Sequence, residues 1–71
     1  MSLAHLFDKN LEYIQTIPSK IWIITHNLNK YPAITLLDAN NREIKGEVKH
    51  NSVNQITVTF NQELTGKVIF N

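Results

Sequence analysis

The stretch Gln55-Ile56-Thr57-Val58-Thr59-Phe60 decides the fold class. In an extended chain Ile56, Val58 and Phe60 fall on one face and Gln55, Thr57 and Thr59 on the other, the period-two alternation of a half-buried strand. β-branched residues reinforce it, because they are stiff at χ1 and fit a pleated surface. The whole chain carries nine Ile, four Val and six Thr, so strand chemistry extends well beyond this segment.

Working outward, Ile44, Gly46 and Val48 alternate with Glu43, Lys45, Glu47 and Lys49, which predicts a strand within 42–50 whose charged face meets solvent. Gly66 punctuates before Lys67-Val68-Ile69-Phe70, a closing strand with Val68 and Phe70 on one face. Upstream, Ile21-Trp22-Ile23-Ile24-Thr25-His26 is apolar on both faces, as expected of a strand covered on both sides or, the reading taken here, of one whose outer face meets another subunit. Pro32-Ala33-Ile34-Thr35-Leu36-Leu37-Asp38 adds a strand with Pro32 at its start, where a missing N–H costs least. Asp38-Ala39-Asn40-Asn41 and Asn51-Ser52-Val53-Asn54 are turn sequences, and 61–66 reads as a longer connection.

The first 17 residues support two periods. Leu3, Leu6, Phe7, Leu11 and Ile14 recur at helical spacing, while Tyr13, Gln15 and Ile17 alternate toward Pro18. The resulting expectation is an all-β chain: a small antiparallel β-sandwich of about six strands over 11–71, preceded by a short N-terminal helix or arm over 1–10. Leu3, Leu6 and Phe7 then either cover the open end of the sandwich or grip a neighbouring copy.

Composition bounds the function. The chain has 71 residues, 42% of them apolar and 18% charged, which sets a ceiling of one domain and excludes disordered and low-complexity classes. A domain of this size removes only roughly 60% of its unfolded surface from water. With no Cys, disulfides and thiolate zinc are excluded as reinforcement, and oligomerisation remains the common route. Seven Lys/Arg against six Asp/Glu give a formal charge of +1 with no basic cluster, so a nucleic-acid partner is not expected. The longest apolar run, Ile21 to Ile24, is far short of the about 20 residues of a membrane span, and residues 1–9 lack the pattern of a secretory signal. Synthesis in the cytoplasm without export by a signal peptide is expected.

Catalytic chemistry finds little support. His5, His26 and His50 lie at no metal-ligand spacing, and Asp8, Glu12, Asp38, Glu43, Glu47 and Glu63 form no DxD or ExxE pair. Gly46 and Gly66 are isolated and make no phosphate-cradling loop. Neither an enzyme nor a metal or nucleotide cofactor is therefore expected. Among the aromatics, Trp22, Phe60 and Phe70 read as core, whereas Tyr31, in the connection His26-Asn27-Leu28-Asn29-Lys30-Tyr31-Pro32, reads as exposed and able to touch a ligand. His26 opens that connection, where its ring is placed to bond a backbone group or, alternatively, to join Tyr31 at a ligand.

The order Trp22-x-Ile24-x-His26-Asn27-Leu28-x-Lys30-Tyr31-Pro32-x-Ile34, then Asp38, then Ile56-x-Val58-x-Phe60 and Gly66-x-Val68 resembles a small β domain recurrent in tailed-bacteriophage tail and tail-fibre proteins. The resemblance spans about residues 10–71 and departs at Asn29, where Gly is common. It implies a non-enzymatic virion protein of the tail, fibre or baseplate, serving as an attachment or adaptor module. It also implies assembly as a symmetric homo-oligomer, a homotrimer or higher ring, with other virion proteins as partners. On that reading the interface residues are Leu3, Leu6, Phe7, Ile21 and Ile23. Two alternatives stand beside it: a carbohydrate-binding module meeting a host surface glycan through Tyr31 and His26, and a capsid or neck decoration protein.

Overall fold

A computed structural model describes residues 11–71; the expected arm over 1–10, with Leu3, Leu6 and Phe7, lies outside the described residues. Within 11–71 the chain is all-β, with four strands: β1 (Leu11–Thr25), β2 (Ile34–Asp38), β3 (Glu47–Ser52) and β4 (Gln55–Phe70). Every pairing is antiparallel and every pairing is to β4. The first half of β4 lies between β1 and β3, with Val58 opposite both Trp22 and Val48. The second half lies between β1 and β2, with Val68 opposite both Tyr13 and Leu36.

The difference from the expected six strands has a local cause. Segments expected to end at Pro18 and restart at Ile21 run together as β1, because β1 is an edge strand and an edge tolerates a residue without N–H. Ser19 bridges the irregularity: its hydroxyl donates to the Ile21 carbonyl at 2.8 Å and accepts from the Ile21 N–H at 3.2 Å. The connection expected at 61–66 is likewise a bulged stretch inside β4, since the register jumps from Ile21↔Thr59 to Ser19↔Leu64. Gly66 thus sits within β4 rather than before a new strand. A Cβ there would collide with the Leu37 carbonyl oxygen, so the close approach of β2 is what requires glycine.

The strand expected over 42–50 is shorter and shifted. Residues 42–46 turn back toward β2, with Ile44 N–H donating to the Leu36 carbonyl at 2.9 Å and a single bridge between Leu37 and Glu43. The chain then crosses to β4, passing Phe60 at Gly46, where a Cβ would stand 2.7 Å from the ring. The Asp38 turn forms as its sequence predicts. One carboxylate oxygen accepts from the N–H groups of Asn40 and Arg42 at 2.8 and 2.9 Å, and Asn41 takes the left-handed conformation, φ 64°.

The inner face collects Trp22 and Ile24 from β1, Leu36 from β2, and Ile56, Val58, Phe60, Val68 and Phe70 from β4. Trp22 packs its indole against Phe60 with ring centroids 4.7 Å apart. Both halves of β4 feed this one cluster. With no helix among the described residues, the faces of the bent sheet supply its cover. Leu11, Tyr13, Leu28, Ile34, Ile44, Val48 and Leu64 flank it half-buried.

Candidate interaction surface

β1 presents the largest apolar exposure of the described residues. Ile14, Ile17, Ile21 and Ile23 are 57%, 72%, 53% and 62% exposed. The bulge explains how one strand shows isoleucines from positions of different parity. Before it, even positions such as Ile14 face out while Leu11, Tyr13 and Gln15 face in; after it, odd positions face out while Trp22 and Ile24 are buried. β1 pairs only with β4, so its other edge has no strand partner among the described residues along all 15 positions. A long strand that joins an open edge to an apolar outer face is the surface that folded proteins otherwise blunt or cover. Lys20, Pro18 and the Ser19 hydroxyl partly blunt it between the two isoleucine pairs.

Ile21 and Ile23 therefore lie where the sequence places them, on the outer face beside the buried Trp22. Ile14 and Ile17 escaped sequence reading because the period was ambiguous there. Only the bulge at 15–21 reveals that they too face outward.

A second feature gathers at the end of β1. Tyr31 is 65% exposed and meets His50 of β3 edge-on at 5.4 Å. His26 is buried at 4% and lies 5.4 Å from Phe70. Its Nδ1 accepts the Leu28 N–H at 3.1 Å, which puts the neutral ring's proton on Nε2, a buried atom with no hydrogen-bond partner among the described residues. The His26 pKa is lowered, first by burial and then by the charge of His50. The connection that carries Tyr31 is tied down at both ends. His26 N–H and Lys30 N–H donate to the Asn54 and Val53 carbonyls at 2.8 and 2.9 Å, and Asn29 N–H donates to Asn54 Oδ1 at 2.8 Å. Asn27 and Asn29 adopt left-handed backbone, φ 58° and 55°. His26 thus holds the path of its own turn, and its buried ring is no surface group. The residue beside Tyr31 is His50, which sequence alone could not supply because the β3–β4 hairpin brings it there.

Open depressions lie on the surface of the described residues. One, of about 350 Å³, runs beside Ile14 between Asp38 and Lys67; another, of about 280 Å³, lies between Gly46 and Asn61. Among the described residues no three His, Asp or Glu side chains converge as metal ligands, and no helix is long and apolar enough to cross a membrane. Among the described residues Lys67 pairs with Glu12 at 3.7 Å, a partly exposed ion pair worth little. No known protein family, curated protein or solved structure matches the chain.

Proposed function

We propose that the chain is a non-enzymatic structural component of a tailed-bacteriophage virion, an adaptor or attachment module of tail, fibre or baseplate that assembles as a homo-oligomer, with a trimer or higher ring favoured. The bent four-stranded sheet is read as a small sandwich whose outer β1 face is completed by another copy or by a neighbouring virion protein. The observation that carries this reading is the run of four exposed isoleucines on the unpaired edge strand. Fully burying one such side chain contributes about 1.5–3 kcal/mol. Part of that from each of four residues, repeated around a ring, is comparable with what so small a core supplies alone. The sequence resemblance supports the virion assignment independently of this surface.

Immunogold labelling with an antibody against the purified chain, applied to phage particles whose genome encodes it, tests the assignment. Gold at the tail or baseplate is expected. Gold confined to the head would favour the decoration reading, and unlabelled particles from a lysate rich in the free protein would contradict a virion role.

A second reading, binding of a host surface glycan, rests on Tyr31. Its exposed ring is braced edge-on by His50 and presented by a turn held through Asn54, and an exposed aromatic face suits the apolar face of a sugar.

A further inference from the structure

The open edge of β1 is not uniform along its length, and the parity of the ladder shows which backbone groups it presents. In an antiparallel pair, alternate residues exchange backbone bonds with the partner strand, and the residues between them turn their N–H and C=O groups the other way. His26 N–H donates to the Asn54 carbonyl at 2.8 Å, which continues the register Trp22↔Val58 and Ile24↔Ile56. Even positions bond to β4 here, so Ile21, Ile23 and Thr25 turn their backbone groups to the open edge. At the other end Ala33 and Asn71 exchange both backbone bonds, at 3.2 and 3.0 Å, which continues Thr35↔Ile69 and Leu37↔Lys67. Phe70, Val68 and Gly66 are thereby left to bond Leu11, Tyr13 and Gln15, and it is Glu12, Ile14 and Thr16 that turn to the edge.

Between these two runs the chain satisfies its own backbone. Gln15 Nε2 donates to the Ile17 carbonyl at 2.8 Å, and Trp22 Nε1 donates to the Ser19 carbonyl at 3.0 Å. The Ser19 hydroxyl takes both groups of Ile21, accepting from its N–H at 3.2 Å and donating to its carbonyl at 2.8 Å. Pro18 has no N–H to offer. The 15-residue edge is thus cut into two short runs, 12–16 and 23–25. The cut adjoins Ile21-Trp22-Ile23-Ile24-Thr25, which carries no charge and is rich in β-branched residues, the composition of segments that stack in register with copies of themselves. An open backbone edge is the template on which such stacking starts.

We infer that Gln15, Ser19 and Trp22 form a guard that closes the middle of the β1 edge to strand addition by further copies of this chain. Two of the caps come from the strand's own half-buried polar residues, and the third is anchored in the core, since Trp22 is buried. The guard acts on backbone groups and leaves the isoleucine side chains of the outer face uncovered. It is therefore independent of the homo-oligomeric reading above, which concerns that face and not the edge.

Full-length Gln15→Ala/Ser19→Ala removes two of the three caps and keeps Trp22 in the core. It is compared with wild type and with Ile56→Val, which destabilises through the core and leaves every cap in place. Each protein is agitated at the same interval below its own melting temperature, so that differences in stability cancel, and is followed by thioflavin T fluorescence and electron microscopy. The double variant is expected to form fibres with a lag several-fold shorter than either comparison protein. A lag equal to that of Ile56→Val would overturn the guard. Amide exchange followed by NMR on Ser19→Ala reads one cap without relying on aggregation. The Ile21 amide should exchange roughly two- to tenfold faster than in wild type, the fold-change that the net worth of one hydrogen bond implies, while the Ile23 amide keeps its rate. An Ile21 rate that stays at the wild-type value would overturn the inference as well, and either negative result leaves the reading of the outer face standing.

Discussion

The indole N–H of Trp22 donates to the Ser19 carbonyl at 3.0 Å, three residues back on the same strand and across the bulge that lets β1 pass Pro18. The largest core side chain and the main irregularity of the edge strand are therefore one structural unit. Ser19 closes it from the other direction through its hydroxyl bonds to Ile21. The unit sets which residues of β1 face out, since the bulge changes the parity of exposure.

Ser19→Ala should lower stability by about 0.5–1.5 kcal/mol, the net worth of a hydrogen bond at a partly exposed site. The check is the urea midpoint at fixed chain concentration. A variant with an unchanged midpoint would show that the hydroxyl contributes nothing to the bulge.

Gly66→Ala should cost more, on the order of 1–3 kcal/mol or above, because a methyl group there must displace the β2 backbone at Leu37. Thermal unfolding followed by circular dichroism measures it. A melting temperature equal to wild type would contradict the close approach of β2 and β4.

His26 makes the fold acid-sensitive. Its pKa in the folded chain lies below the ordinary value near 6.5, so between the two values the unfolded chain binds more protons than the folded one. The stability tied to this group is full above about pH 6.5 and is lost as the pH falls through the lowered folded-state pKa. Urea midpoints at pH 7.5 and 5.0 should therefore differ more for wild type than for His26→Leu, which keeps every other titratable group of the chain. Identical slopes would contradict a neutral buried His26. In an NMR titration, His50→Ala should raise the His26 pKa only part of the way to its ordinary value, since burial is the larger cause.

Tyr31→Ala should leave stability within about 0.5 kcal/mol, as expected for an exposed side chain. On a glycan array the wild-type chain would show a Tyr31-dependent signal if the sugar-binding reading holds. No binding at millimolar sugar would remove that reading and leave the adaptor role untouched.

Sequence and structure agree where one rule acts alone. The alternation at 55–60, the Asp38 turn and the burial of Trp22, Phe60 and Phe70 follow from period, turn chemistry and apolar mass. Ile21 and Ile23 were legible as outward-facing because Trp22 and Ile24 claim the other face. Disagreement arises where tertiary contacts override local punctuation. Pro18 and Gly66 look like breaks, yet Pro18 survives on an open edge and Gly66 answers to Leu37 across the sheet. The shift of the expected strand 42–50 has the same origin, as residues 42–46 bond to β2 before the chain reaches β4. Ile14 and Ile17 were hidden because their exposure depends on a bulge that no local pattern announces.

On the proposed function, this small, unstapled fold is completed through the outer face of β1. The most direct measurement is the solution mass of the full chain by size-exclusion chromatography with light scattering over a hundredfold concentration range, beside Ile21→Lys/Ile23→Lys. A stable oligomer, with a trimer favoured, is expected for wild type and a folded monomer for the double variant. A wild-type chain that is folded and monomeric throughout, or a double variant with the wild-type mass, would contradict it.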